Sequence, residues 1–100
     1  MPEFNEVIKE CAFIRIIFFG MTSSGATQVW KIESNDGSNF LGLIKWFGRW
    51  RKYSFYPHSD TIFEATCLRE IADFCGEESR KHYQGRISKR RLIEEHEADS

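Results

Sequence analysis

The 100-residue sequence predicts an α+β domain: a four-stranded antiparallel meander, β-β-β-β-α, with one face packed on one main helix. Three observations carry this. Two runs suited to strands flank Asn35-Asp36-Gly37-Ser38, and Asp-Gly between such runs is a strong hairpin signal. Gly48-Arg49, a second tight turn, joins the latter of these runs to a further aromatic-rich one. Finally, Thr61-Ile62-Phe63-Glu64 has the form of a capping box, Thr at N-cap and Glu at N3, and an apolar stripe of helical period follows it.

Residues 1–10 suit either an arm or a short helix. Ala12 to Phe19, rich in Ile and Phe, reads as a buried strand. The small and polar stretch Gly20 to Thr27 is a flexible connection. Gln28 to Glu33 alternates, Trp30 and Ile32 opposing Lys31 and Glu33, as a half-buried strand does. A type I′ turn at Asp36-Gly37 leads to the strand Asn39 to Phe47, which is largely apolar on both faces. Trp50 to Tyr56 returns as the fourth strand, with Tyr53 and Phe55 on one face and Trp50, Lys52, Ser54 and Tyr56 on the other. Pro57 ends the ladder because it has no N–H to donate.

In the helix, Phe63, Cys67, Leu68, Ile71, Phe74 and Cys75 recur at three- and four-residue spacing, opposite Glu64, Arg69, Glu70 and Asp73. Gly76 ends or weakens it, and Gln84-Gly85 is the firmer break. Residues 1–85 thus form a single domain and 86–100 a charged tail or second short helix. Strands one and three are apolar on both faces, so the amino-terminal arm, the terminal helix or another molecule must cover the second face.

The composition narrows the function classes. Fifteen aromatic residues in a chain this short provide for a real core. A net charge of −1 excludes strong whole-molecule attraction to nucleic acid, so any such contact must come from a local patch. Cys11, Cys67 and Cys75 are odd in number; Cys67 and Cys75 stand about 12 Å apart along one helix, too far to bridge. A reducing bacterial cytoplasm is the expected compartment. The apolar run Cys11 to Phe19, interrupted by Arg15, is too short to span a bilayer and lacks the flanks of a signal peptide.

The strongest functional signal is Lys45-Trp46-Phe47-Gly48-Arg49-Trp50-Arg51-Lys52-Tyr53, where cations and rings alternate without an acid. Lys45, Arg49, Arg51 and Lys52 suit phosphates, and Trp46 or Trp50 suits base stacking. The same residues equally suit a hairpin whose rings fill the core while its cations are solvated. Arg and Trp also mark protein hot spots, so an acidic protein surface is a further target. A second basic cluster, Arg86 with Lys89, Arg90 and Arg91, is an electrostatic arm or a solvated tail, and Glu94, Glu95, Glu97 and Asp99 offset it.

Other chemistries find little support. The spacing of Cys67, Cys75 and His82 matches no metal knuckle, and the cysteines fit the apolar stripe instead. His58-Ser59-Asp60 has the residue types of a catalytic triad, but adjacent in sequence, where they suit the turn into the helix. No nucleophile elbow or phosphate-binding glycine loop is present. The sequence predicts a non-enzymatic protein without metal or cofactor.

The segment Leu41-Gly42-Leu43-Ile44-Lys45-Trp46-Phe47-Gly48-Arg49-Trp50-Arg51-Lys52-Tyr53-Ser54-Phe55-Tyr56-Pro57 resembles a largely uncharacterised group of small proteins commonly encoded by bacteriophages and prophages. In these a G-x-I-x-W…W-R-x-Y-x-F-x-P hairpin precedes a helix, here the one reaching Cys75. The resemblance implies an accessory role in a phage or mobile element and carries over no catalytic residue or cofactor. The expectation is therefore a small accessory protein that acts by binding nucleic acid through the basic-aromatic hairpin. The alternative is a host or phage protein as partner, including inhibition of a host defence, or self-association through the apolar sheet face.

Overall fold

The computed structural model describes the backbone of residues 2–98 and the side chains of residues 2–85. It contains β1 (Val7–Glu10), β2 (Ile14–Met21), β3 (Gln28–Ser34), β4 (Phe40–Phe47), β5 (Lys52–Pro57) and α1 (Ala65–Ala98). The fold is α+β, with five strands in place of the expected four. All neighbours pair antiparallel in the order β1-β2-β3-β4-β5.

The additional strand comes from the amino-terminal segment left open between arm and helix. Val7 pairs with Ile17 and Glu10 with Arg15, so the segment widens the sheet instead of covering its second face. β1 is short and carries Lys9 and Glu10, which blunts an edge that would otherwise template further pairing.

One face of the sheet supplies Ile14, Ile16, Phe18, Trp30, Ile32, Ile44 and Tyr53, which bury themselves against Cys67, Ile71 and Phe74 of α1. Trp30 anchors this core, edge-on to both Tyr53 and Phe74 at centroid distances of 5.0 Å. Leu68, expected in the stripe, is instead 47% exposed.

Both hairpin turns depart from the two-residue form. Between β3 and β4 the Ser34 amide donates to Asn39 O at 3.0 Å, closing a four-residue loop in which only Gly37, at φ 77°, is left-handed. A type I′ turn needs positive φ at both central residues, and Asp36 does not supply it. Its carboxylate accepts from Ser34 Oγ and Ser38 Oγ instead, which holds it well below the usual carboxylate range. Between β4 and β5 the loop is Gly48–Arg51, with Phe47 O accepting from the amides of Trp50 (3.2 Å) and Arg51 (2.9 Å). Arg51 supplies the left-handed residue, at φ 54°. The fourth expected strand therefore starts two residues late, at Lys52, as β5. Pro57 is its last residue, although the His58 amide still donates to Leu41 O.

The helix starts later than the capping box predicts. Thr61 Oγ1 donates to His58 O at 2.7 Å, bracing the turn in which Asp60 has φ 61°. Glu64 is the cap: its Oε1 accepts from the Cys67 amide at 2.6 Å. Residues 61–64 stay outside the helix, which leaves Ile62 94% exposed. The helix then runs through Gly76 and Gly85 without a break. A glycine in a helix interior costs about 1 kcal/mol, which the flanking turns absorb. Among the described residues no helix is long and apolar enough to cross a membrane.

Candidate functional site: the β4–β5 hairpin

The β4–β5 pairing sorts the basic-aromatic segment onto two faces. Lys45 pairs with Ser54, Trp46 with Tyr53 and Phe47 with Lys52, so successive residues point to opposite sides of the sheet. Trp46 belongs to the helix side. Half-buried, it lies 4.4 Å from the His82 ring, 5.2 Å from Tyr53 and 6.1 Å from Tyr83. Tyr83 in turn donates its hydroxyl to Arg51 O at 2.5 Å, tying the turn to the helix.

Trp50 and the other rings occupy the open face, which the helix leaves uncovered. Trp50 is 67% exposed at the turn and packs edge-on against Phe47 at 4.7 Å. Phe47 meets Tyr56 at 6.4 Å, so Tyr56, Phe47 and Trp50 form a continuous row of rings. Lys45 Nζ sits 4.5 Å above the Tyr56 ring, a cation–π contact that holds the ammonium over the row. Lys52 shares this face beside Phe47, and Arg49 is exposed at the tip.

Four of the six predicted hairpin residues, Lys45, Arg49, Trp50 and Lys52, therefore gather around one aromatic row. Trp46 stands on the other side of the sheet, and Arg51 borders both. Among the described residues none of the four hairpin cations is ion-paired with a carboxylate. The second basic cluster, Arg86, Lys89, Arg90 and Arg91, lies outside the residues whose side chains are described.

Further along the open face, Arg15 pairs with Glu33, its Nε donating at 2.7 Å, and Lys31 lies 3.7 Å from the same carboxylate. This acid is thereby neutralised within the face. Phe19 and Phe4 are exposed and pack on each other at 5.6 Å, with Lys31 Nζ 5.9 Å from the Phe19 ring.

Sequence reasoning missed Phe47 and Tyr56 as members of the row, although their odd and even positions on paired strands place them on one face. It also missed His82 beside Trp46, which the helical stripe through Ile71, Phe74 and Ser79 points to. His58, Ser59 and Asp60 form an exposed turn, with the His58 ring against Phe40 at 5.3 Å. Among the described residues no three His, Cys, Asp or Glu side chains gather as metal ligands.

No family model and no solved structure matches this chain. A curated relative does: the chain is 36% identical over 53 residues to the "Uncharacterized 9.3 kDa protein" of Acholeplasma phage L2, a match that covers 51% of this chain and 68% of that protein. By this similarity the chain belongs to the family of that small phage protein.

Proposed function

We propose that this is a non-enzymatic phage accessory protein that binds single-stranded nucleic acid on the open face of its β4–β5 hairpin. The observation that carries this reading is the row Tyr56–Phe47–Trp50 with Lys45, Lys52 and Arg49 around it, none of them ion-paired among the described residues. Rings exposed on a sheet offer flat platforms for unstacked bases, each worth about 1–3 kcal/mol, while the cations follow the backbone phosphates. Duplex bases are stacked on one another and cannot use such a row, so single strands are the preferred ligand.

Fluorescence anisotropy with labelled single-stranded DNA, single-stranded RNA and duplex tests the reading. Binding is expected to weaken with salt. The variant Arg49→Ala plus Lys52→Ala is expected to lower the logarithmic salt slope by about 1.4, the counterion release of two phosphates on a single strand. Trp50→Ala removes a platform and weakens binding about tenfold or more. Equal affinity of these variants and the parent, or no binding to any of the three ligands, rules the reading out.

A protein partner is the second reading, and the exposed Phe4–Phe19 pair on the same face favours it. Apolar rings bordered by cations match the core and rim of an interface, whether with a host protein that is inhibited or with a second copy. Pull-down from nuclease-treated host lysate retains a protein partner and loses one held through nucleic acid. Sedimentation at high concentration detects the dimer.

A further inference from the structure

On the helix side of the hairpin, Ser24, Thr27, Trp46, Gly48, Arg51 and His82 line a cleft of about 460 Å³. That volume lies in the range of small-molecule sites, about 300–1,000 Å³. Three separate segments build it: the β2–β3 connection, the β4–β5 hairpin and the middle of α1. Each is braced where it meets the cleft. Thr22 Oγ1 lies 3.1 Å from Thr27 Oγ1 and 3.3 Å from Ser24 Oγ, Tyr83 fixes the Arg51 carbonyl, and the His82 ring packs on Trp46.

The lining combines two chemistries. Arg51 brings a guanidinium that no carboxylate pairs with among the described residues, joined by two hydroxyls and an imidazole. These are donors suited to phosphate oxygens. Trp46 and His82 form an aromatic wall, and Gly48 leaves its side of the mouth open, since a Cβ there would touch nothing within 4 Å. Glu78 and Lys81 line an adjoining recess, which meets the cleft at Ala26 and His82.

We infer that this cleft binds a nucleoside phosphate, with the phosphate on Arg51, Ser24, Thr27 and His82 and the base against Trp46. The ligand is either a free nucleotide or the phosphorylated end of a strand. The inference is independent of the open-face reading, because the cleft lies on the opposite side of the sheet and shares only the turn with it.

Trp46 reports on the site directly. Trp30 is buried, so in a Trp50→Phe background Trp46 is the tryptophan within reach of a ligand in solution. Adenosine 5′-monophosphate and a 5′-phosphorylated trinucleotide are titrated against its emission, beside adenosine and a 5′-hydroxyl trinucleotide. Saturable quenching is expected from at least one phosphorylated ligand, about tenfold or more stronger than from its unphosphorylated counterpart. Quenching by the mononucleotide identifies a free nucleotide, and quenching by the trinucleotide alone identifies a strand end. Arg51→Asn keeps a residue that tolerates φ 54° and removes the charge; it is expected to abolish the phosphate preference. A matching thermal melt shows that the variant is folded, and His82→Gln provides a second variant distant from the turn. The inference is overturned if no phosphorylated ligand quenches below about 5 mM, near the millimolar floor of specific recognition. It is equally overturned if folded Arg51→Asn and His82→Gln both retain the parent's preference.

Discussion

Ser79 joins the helix to the sheet through the backbone of Tyr53: its hydroxyl accepts from the Tyr53 amide at 2.9 Å and donates to Cys75 O at 2.7 Å. Tyr53 lies on β5, an edge strand, and Ser79 is buried in the contact. At the other end of the side chain, the Tyr53 hydroxyl accepts from the Gln28 amide at 3.1 Å. One residue thereby ties β5 to the helix by its backbone and to the start of β3 by its side chain. Both faces of the candidate site depend on this joint, because Tyr53 is paired with Trp46 and lies one residue from Lys52.

Ser79→Ala leaves the Tyr53 amide buried without a partner, at a cost of about 1–3 kcal/mol. Urea unfolding is expected to show a lower midpoint at unchanged slope. Ser79→Thr keeps the hydroxyl and should retain more of the stability than alanine does. An alanine variant as stable as the parent would mean that apolar packing alone docks the helix.

At Gly42, β4 leaves no room for a side chain beside β5. Its φ is 155°, and a Cβ there would stand 2.5 Å from Tyr56 O and 2.7 Å from the Phe55 ring. Neither neighbour yields readily, since one is backbone and the other packs on Phe63 at 5.1 Å. Gly42→Ala is expected to destabilise by about 2 kcal/mol or more, combining backbone strain with overpacking. Gly48→Ala, on the same hairpin with open space at its Cβ, is the control and should cost far less by thermal melt.

The parts legible in the sequence are those where local pattern and tertiary packing agree. Trp30 and Ile32 alternate with Lys31 and Glu33 as a strand must, and Cys67, Ile71 and Phe74 repeat as a helix face must, so sheet and helix were both readable. β1 was not: Val7 and Ile8 are adjacent apolar residues between charges, a pattern of no clear period, and only pairing with β2 decides it. Thr61 and Glu64 have the right spacing for a capping box, but the left-handed Asp60 turns the chain so that Thr61 serves the turn and Glu64 the helix. The hairpin cations were legible as a group. The strand parity that parts Trp46 from Trp50 was legible too; the loop two residues longer than the sequence suggested keeps that parity but takes Trp50 out of the strand and into the turn.

Glu64 makes helix stability depend on pH. Hydrogen bonds from the amides of Thr66 and Cys67 hold its carboxyl below the ordinary 4.5. A folded pKa below the unfolded one gives a stabilisation that is complete above pH 4.5 and is lost as pH falls through the depressed value. The parent should therefore lose helicity on acidification more steeply than Glu64→Gln, which has no carboxylate to protonate. Circular dichroism at 222 nm from pH 7 to pH 2 compares the two, and parallel curves would remove Glu64 as the cap.

Cys75 offers a test of the helix–sheet packing that needs no binding partner. Burial pushes its thiol up to about 11 from the ordinary 9.0. Cys11 is raised as well, first by burial and then by its hydrogen bond to Glu70 at 3.4 Å. The thiolate is the reactive form, so at pH 8 a shift of that size makes native Cys75 about a hundredfold less reactive than an unfolded cysteine, before any steric protection. Iodoacetamide labelling followed by peptide mass analysis is expected to leave Cys75 unmodified in the native protein and to modify it fully in urea. In Ser79→Ala, where the contact beside Cys75 is weakened, native labelling of Cys75 should accelerate while that of Cys11, on the loop between β1 and β2, stays the same. Equal acceleration at both sites would point to global unfolding instead of a loosened joint.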